Sequence, residues 1–215
     1  NIIQVLLKYL NSSFQWVVNS DTQEDLEMLS NIILIINSLV EEDTDITAEN
    51  QNHLFNNSNV GMILLQLSFK PGVLLNYRIA FLDCVSRIIK KNAVLQEKFG
   101  SIDIPLIDPL NTTSASNPNF SGHTQATVLP AYKVLLSWST KLTSVHALKL
   151  RMVCIDLLKS YFSSNFANQQ HFITEQLKEY EDMVDSDTNI FVGLLDYDSN
   201  LSMDSYKLYF ILDII

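Results

Sequence analysis

An all-α solenoid of stacked three-helix repeats is the fold this chain predicts, on three observations. A spaced set of residues, Leu75, Arg78, Asp83, Asn92, Gln96 and Phe99, recurs without a gap as Leu148, Arg151, Asp156, Asn165, Gln169 and Phe172, displaced by 73 residues. Removing the 28-residue, Pro- and Ser-bearing stretch 101–128 from that displacement leaves 45, a period that belongs to armadillo and HEAT units. An earlier, weaker copy keeps the register: in Asn50-Gln51-Asn52-His53-Leu54, Gln51 stands 45 residues before Gln96, and the run resembles Asn168-Gln169-Gln170-His171-Phe172. A chain that is 47% hydrophobic, with only five Gly and five Pro, suits long helices better than many short strands.

The elements follow in rotation as long, short and third helices, which describes an armadillo unit better than a two-helix HEAT unit. The first long helix is expected over 23–41, where apolar residues return at three- and four-residue steps. A short Asn/Gln/aromatic segment follows at 48–55 and a third helix at 60–69. Pro71-Gly72 marks the turn into the second long helix, 73–91, since Pro fits a first turn and Gly admits an unusual φ. On that helix Leu74, Tyr77, Phe81, Val85, Ile88 and Ile89 project to one side, and Asn76, Asp83, Arg87 and Lys90 to the other.

The next short segment, 92–99, opens on Asn92. Like Asn165, it is placed to accept from the unpaired amides of the following turn. Between 101 and 128, Pro105, Pro109, Pro118, Gly122 and the run Asn111-Thr-Thr-Ser-Ala-Ser-Asn117 cannot build a packed element and read as a surface loop inserted in the solenoid. A third helix is expected at 128–141, a long one at 144–163, a short one at 165–178 and a third at 190–195. Leu208-Tyr-Phe-Ile-Leu212-Asp213 restarts the pattern of Ile79-Ala-Phe-Leu82-Asp83 and Met152-Val-Cys-Ile155-Asp156. Residues 1–215 are therefore expected to be one armadillo-type segment of a longer chain, with another repeat beginning where the sequence stops.

Fourteen Lys and Arg against 24 Asp and Glu give a formal charge of −10, which repels a phosphate backbone or an anionic lipid surface. Cys84 and Cys154 lie inside apolar helical runs, suggesting buried thiols in a reducing compartment rather than a disulfide framework. The longest apolar stretch, 31–40, is about half of the ~20 residues a membrane span needs, and no basic leader or cleavage site opens the sequence.

Little of the inventory points to chemistry. His53, His123, His146 and His171 are scattered, with no His-Glu-x-x-His and no cysteine pair at ligand spacing, so no metal is expected. His53 and His171 share one place in the repeat and read as capping or packing residues. Asp185-Ser-Asp187-Thr-Asn189 starts like a calcium loop, but Ile190 stands where Gly is needed and Asp196 where Glu is needed. Neither a phosphate-binding glycine loop nor a nucleophile motif occurs, so no enzyme activity and no cofactor are expected.

Seven of the 14 basic residues, Arg78, Arg87, Lys90, Lys91, Lys149, Arg151 and Lys159, lie on two long helices. Arg87 and Lys90 on one, with Lys149 and Lys159 on the other, form a candidate partner-binding strip for an acidic protein surface. The alternative is a solvated face laced by ion pairs. Arg78 and Arg151 project into the apolar stripe, where an Arg stem packs and its head must find a carboxylate or carbonyl, and they are expected to pair across repeats.

The run Asn165-Phe-Ala-Asn-Gln-Gln-His-Phe172, the Leu-x2-Arg copies and the segment Phe191-Val-Gly193-Leu-Leu195, in that order around an extended loop, resemble the globular head of the general vesicular transport factor family. The likeness covers roughly 59–215. It implies an armadillo head joined to a dimeric coiled-coil tail and engaging a Rab-type small GTPase and SNARE machinery. It also implies a cytoplasmic location, peripheral on Golgi- and endoplasmic-reticulum-derived membranes. No heptad run with flanking charges occurs in this chain, so the tail is not part of it. Rival readings are an armadillo adaptor gripping an extended peptide, or a regulatory subunit of an enzyme complex. A peptide groove calls for Trp/Asn ladders on the third helices; Trp16 and Trp138 are expected elsewhere, which counts against the adaptor.

Overall fold

The computed structural model describes residues 23–41, 45–70, 73–110, 127–142 and 145–182. Eight α-helices and one two-stranded ribbon occur among them. The helices are α1 (Gln23–Leu39), α2 (Asp45–Asn52), α3 (Val60–Ser68), α4 (Leu75–Ile89), α5 (Ala93–Gly100), α6 (Ala131–Lys141), α7 (Leu148–Phe162) and α8 (Phe166–Asp182). A π-helical turn, His53–Asn57, extends α2, and a 3₁₀ turn, Val145–Ala147, leads into α7.

The long helices α1, α4 and α7 stack side by side, with α4 in the middle. Each third helix packs on the long helix that follows it, α3 on α4 and α6 on α7. This is the armadillo-like arrangement that the period of 45 predicts, in which every unit buries its apolar face on its neighbours. Equivalent helices run parallel and almost in register: the Ser86 hydroxyl of α4 lies 2.8 Å from the Ser160 hydroxyl of α7 and donates to the Asp156 carbonyl at 3.3 Å. Small side chains at this crossing let the two backbones approach.

The core is one continuous cluster, from Ile32, Ile33 and Ile36 of α1 through Leu64 and Leu65 of α3 and Phe81, Leu82 and Val85 of α4. It ends on Leu135, Trp138, Leu157, Leu158 and Phe172. Fully burying each such side chain contributes about 1.5–3 kcal/mol.

The middle helix corrects the expectation of a single apolar stripe. Leu82, Cys84 and Ser86 are buried as well as Phe81 and Val85, while Leu74 is exposed. A helix covered by α1, α3 and α7 has little wet surface, and Asn76, Asp83, Arg87 and Lys90 all reach it.

The stretch 101–128 also departs from expectation at both ends. Asp103–Pro105 and Val128–Pro130 pair as antiparallel strands β1 and β2, with Ile104 opposite Leu129. The third helix therefore begins at Ala131, not at 128. Ile104 and Pro109 are buried, and the Ile107 carbonyl accepts the Trp138 indole N–H at 3.1 Å. Short-range composition missed this because the strands are short and pair across more than 20 intervening residues. Pro71-Gly72, Trp16, His123, 190–195, 208–213 and the calcium-like run 185–189 lie outside the described residues.

The ends of α4 and α7 turn by the same device. Lys90 (φ −58°, ψ 127°) and Ser163 (φ −59°, ψ 125°) extend the chain, and Lys91 and Ser164, each at φ 57°, reverse it into the next cap. Close packing sets Gly100. A Cβ on Gly100 would come 2.4 Å from the Tyr161 hydroxyl oxygen and 3.1 Å from its ring. Tyr161 has little room to retreat among Phe99 at 5.4 Å, Tyr132 at 5.5 Å and Phe162 at 4.7 Å between ring centroids. Gly100→Ala, which would favour a free helix, is expected here to destabilise by about 1–3 kcal/mol, read as a lower midpoint in urea unfolding with an unchanged slope.

Candidate partner-binding surface

A solenoid surface is as rigid as its repeat junctions, and here a glutamine closes each described junction. Gln51 Nε2 donates to the carbonyls of Arg87 at 3.2 Å and Lys90 at 3.0 Å. Gln96 Nε2 does the same to Ser160 at 2.7 Å and Ser163 at 3.0 Å, one repeat further on. These carbonyls end a long helix, where the helix offers them no donor of its own. Each Gln Oε1 then accepts from the asparagine that caps the next helix: Asn92 Nδ2 to Gln51 at 3.2 Å, Asn165 Nδ2 to Gln96 at 3.0 Å. The same asparagines cap with their oxygens, Asn92 accepting from the Leu95 amide at 3.3 Å and Asn165 from the Asn168 amide at 3.2 Å. The caps were legible in the sequence, whereas the work of the glutamines was not, because their acceptors are backbone groups of another repeat.

Arg78 fixes the third helix to the long one. Fully buried, it donates to the Ser68 carbonyl through Nη1, and through Nη2 to Lys70 at 3.4 Å and Val73 at 3.5 Å. Its guanidinium also lies 5.5 Å from the Trp138 ring centroid, within cation–π range. The arginine therefore reaches back to α3 of the preceding unit, meeting carbonyls rather than carboxylates. Burial lowers its pKa, with Cys154 and Asp108 opposing that effect. Arg151 holds the equivalent place on α7 at 1% exposure. Trp138 lies on α6, inside the third helix expected over 128–141, which corrects its placement elsewhere. At 2% exposure, with its ring against Phe69 at 4.7 Å, it belongs to the core and not to a groove.

The four residues of the candidate strip do not form one patch. Arg87 pairs with Asp83 at 3.1 Å, half exposed, near the C-terminal end of α4, and Lys90 is exposed beside it. Lys159 is half-buried towards the same end of α7. Lys149 is exposed at the opposite end of α7, ten residues and about 15 Å along the axis. The structure instead gathers Arg87, Lys90 and Lys91 around a cleft of about 120 Å³, lined also by Val40, Glu41, Thr47 and Gln51. Lys91 was not part of the expected strip, and it is the αL turn that brings it in.

A second polar cluster joins α6 to α8. Glu175 accepts from the Tyr132 hydroxyl at 2.7 Å and pairs with Lys133 at 2.8 Å. Burial raises the Glu175 carboxyl, but the hydrogen bonds from Lys133 and Tyr132 and the charges of Lys133 and His171 together hold it below 4.5, the ordinary value. A depressed carboxyl contributes stability that is present above the unfolded value and lost as pH falls through the folded one. The melting temperature of the native chain is thus expected to exceed that of Glu175→Gln by a constant margin at neutral pH. The margin should shrink once the pH drops below the ordinary glutamate range.

Burial pushes both thiols, Cys84 and Cys154, well above the usual range, so neither is a nucleophile. His53 Nδ1 lies 2.7 Å from the Asn57 amide nitrogen on the π turn, and His171 is exposed on α8. Among the described residues no three His, Cys, Asp or Glu side chains gather as a metal site, and no helix is long and apolar enough to cross a membrane.

A family model described as Uso1/p115-like vesicle tethering protein, head region, matches residues 92–215. The intracellular protein transport protein USO1 of Saccharomyces cerevisiae is 27% identical over 241 residues, covering 93% of this chain and 12% of that protein. Two crystal structures, of Uso1-1 and Uso1-2, superpose with TM-scores of 0.77 and 0.74 at 26% identity. They cover 97% and 99% of this chain, which spans 31% and 33% of theirs. With its helical repeats, its Asn–Gln junctions and more than half its length matched, the chain belongs to the head region of the Uso1/p115-like vesicle tethering family.

Proposed function

We propose that this segment is a non-enzymatic, protein-binding part of the head of a vesicle tether acting between the endoplasmic reticulum and the Golgi or within the Golgi. The parent molecule engages a Rab-type small GTPase and SNARE machinery, dimerises through a coiled-coil tail, and works in the cytoplasm, held peripherally on vesicle membranes by its partners. Family membership supports the tethering role. The observation that carries the scaffold reading is the Gln51 and Gln96 ladder, which locks successive units into a fixed surface. Partners then bind by contacts spread over several repeats, with no covalent step. Trp138 is buried in the core, which weighs against a peptide-gripping adaptor.

The test is a pull-down with small GTPases locked in the GTP or GDP state, alongside recruitment of the full-length parent to Golgi-derived membranes. Nucleotide-dependent capture and recruitment are the expected results. Absence of both, with native helicity retained, would contradict the tether reading.

A further inference from the structure

We propose that the cleft between the C-terminal ends of α1 and α4 and the start of α2 docks an acidic peptide segment of a partner protein, with Arg87 and Lys90 pairing with its carboxylates. The proposal rests on the scaffold reading and names the partner chemistry of one site on it.

The molecule contains its own control. At the next junction the residues equivalent to Arg87, Lys90 and Lys91 are Ser160, Ser163 and Ser164, on a backbone with the same extended residue and the same φ of 57°. That helix end and its turn form with one cation in the last turn, Lys159, so neither capping nor the helix dipole calls for three at one junction. The cleft floor is rigid, because Gln51 is 5% exposed and both atoms of its amide are held by the ladder. Among the described residues Arg87 pairs along its own helix with half-exposed Asp83, a contact worth little in water and readily exchanged for a bidentate carboxylate. On a chain of net charge −10, acidic peptides are repelled elsewhere, so a local cation cluster selects where one docks. Glu41, also lining the cleft, opposes binding and supplies a second handle.

The test is fluorescence anisotropy of a labelled glutamate decapeptide titrated with the 215-residue chain, with a glutamine decapeptide as neutral control. The glutamate peptide is expected to bind, the glutamine peptide not, and added salt to weaken the complex. Arg87→Ala and Lys90→Ala should each weaken it by about 2–5-fold, the range of one exposed charge pair. The double variant should weaken it by about 10-fold, and Glu41→Gln should tighten it by about 2-fold. Lys149→Ala, outside the cleft, should change nothing. Thermal melts check the fold of each variant, and if the double variant unfolds, the Glu41→Gln arm decides alone. Unchanged affinity in a folded double variant, an unchanged or weaker Glu41→Gln complex, no binding by the native chain, or binding only to phosphatidylserine vesicles would overturn the assignment. These results bear on the cleft alone; the scaffold reading falls only on the GTPase and membrane experiments.

Discussion

Gln96→Glu is expected to destabilise the chain by about 3–5 kcal/mol, the cost of a buried charge left without a partner. Gln96 is 1% exposed and points its amide nitrogen at two carbonyl oxygens, those of Ser160 and Ser163. Glutamate keeps the shape but turns two attractions into repulsions, retaining only the acceptor for Asn165. Gln96→Ala removes all three bonds without adding charge, so it should cost less, about 2–3 kcal/mol for groups stranded in the core. Gln51→Glu should cost less than Gln96→Glu, because its junction opens onto the cleft where Arg87, Lys90 and Lys91 offset the charge. Urea unfolding followed by circular dichroism gives the order directly. An equal loss for both glutamates would mean that the cleft cations do not reach Gln51.

Arg78→Met is expected to lower stability by about 2–4 kcal/mol. Methionine replaces the buried stem and relieves the cost of desolvating a cation, yet it strands the carbonyl of Ser68 at the end of α3 and those of Lys70 and Val73 between α3 and α4. Those three groups outweigh the relieved charge, since a burial penalty is already offset by their dipoles. For a chain of this length the change corresponds to a fall in melting temperature of about 4–16 °C. An unchanged melting temperature would show that the arginine fills space only. Arg78→Lys separates the two roles: a lysine cannot span the fork of carbonyls and should recover only part of the loss.

Which features were legible follows from how far each interaction reaches along the chain. The helices, their caps at Asn92 and Asn165 and the burial of Arg78 and Arg151 depend on local periodicity, and the copies 73 residues apart exposed them. The β1–β2 ribbon, the bond from Trp138 to Ile107 and the clamp of Tyr132 and Lys133 on Glu175 join residues 31 to 43 positions apart or across the insertion, with no repeat to reveal them. Of the basic strip, Arg87 and Lys90 line the cleft while Lys149 lies at the far end of α7 from Lys159, because helical projection says which side of a helix a residue faces and not what gathers around it. Projection also cannot foresee a turn at φ 57°, which brings Lys91 to the cleft. The glutamines were the strongest markers of the repeat, and their spacing of 45 was already the signal of a junction. A polar residue repeated at one place in successive units marks an acceptor in the neighbouring unit.

The central claim is that each unit is held by its neighbour through these glutamines, so damage to one junction stays local. Amide hydrogen exchange on Gln96→Glu tests it most directly. The account predicts lost protection in the last turn of α7 and in α8, with α3 and the first turns of α4 unchanged, as nearest-neighbour coupling requires. A uniform loss of protection from α1 to α8 would show a single cooperative core and would contradict it.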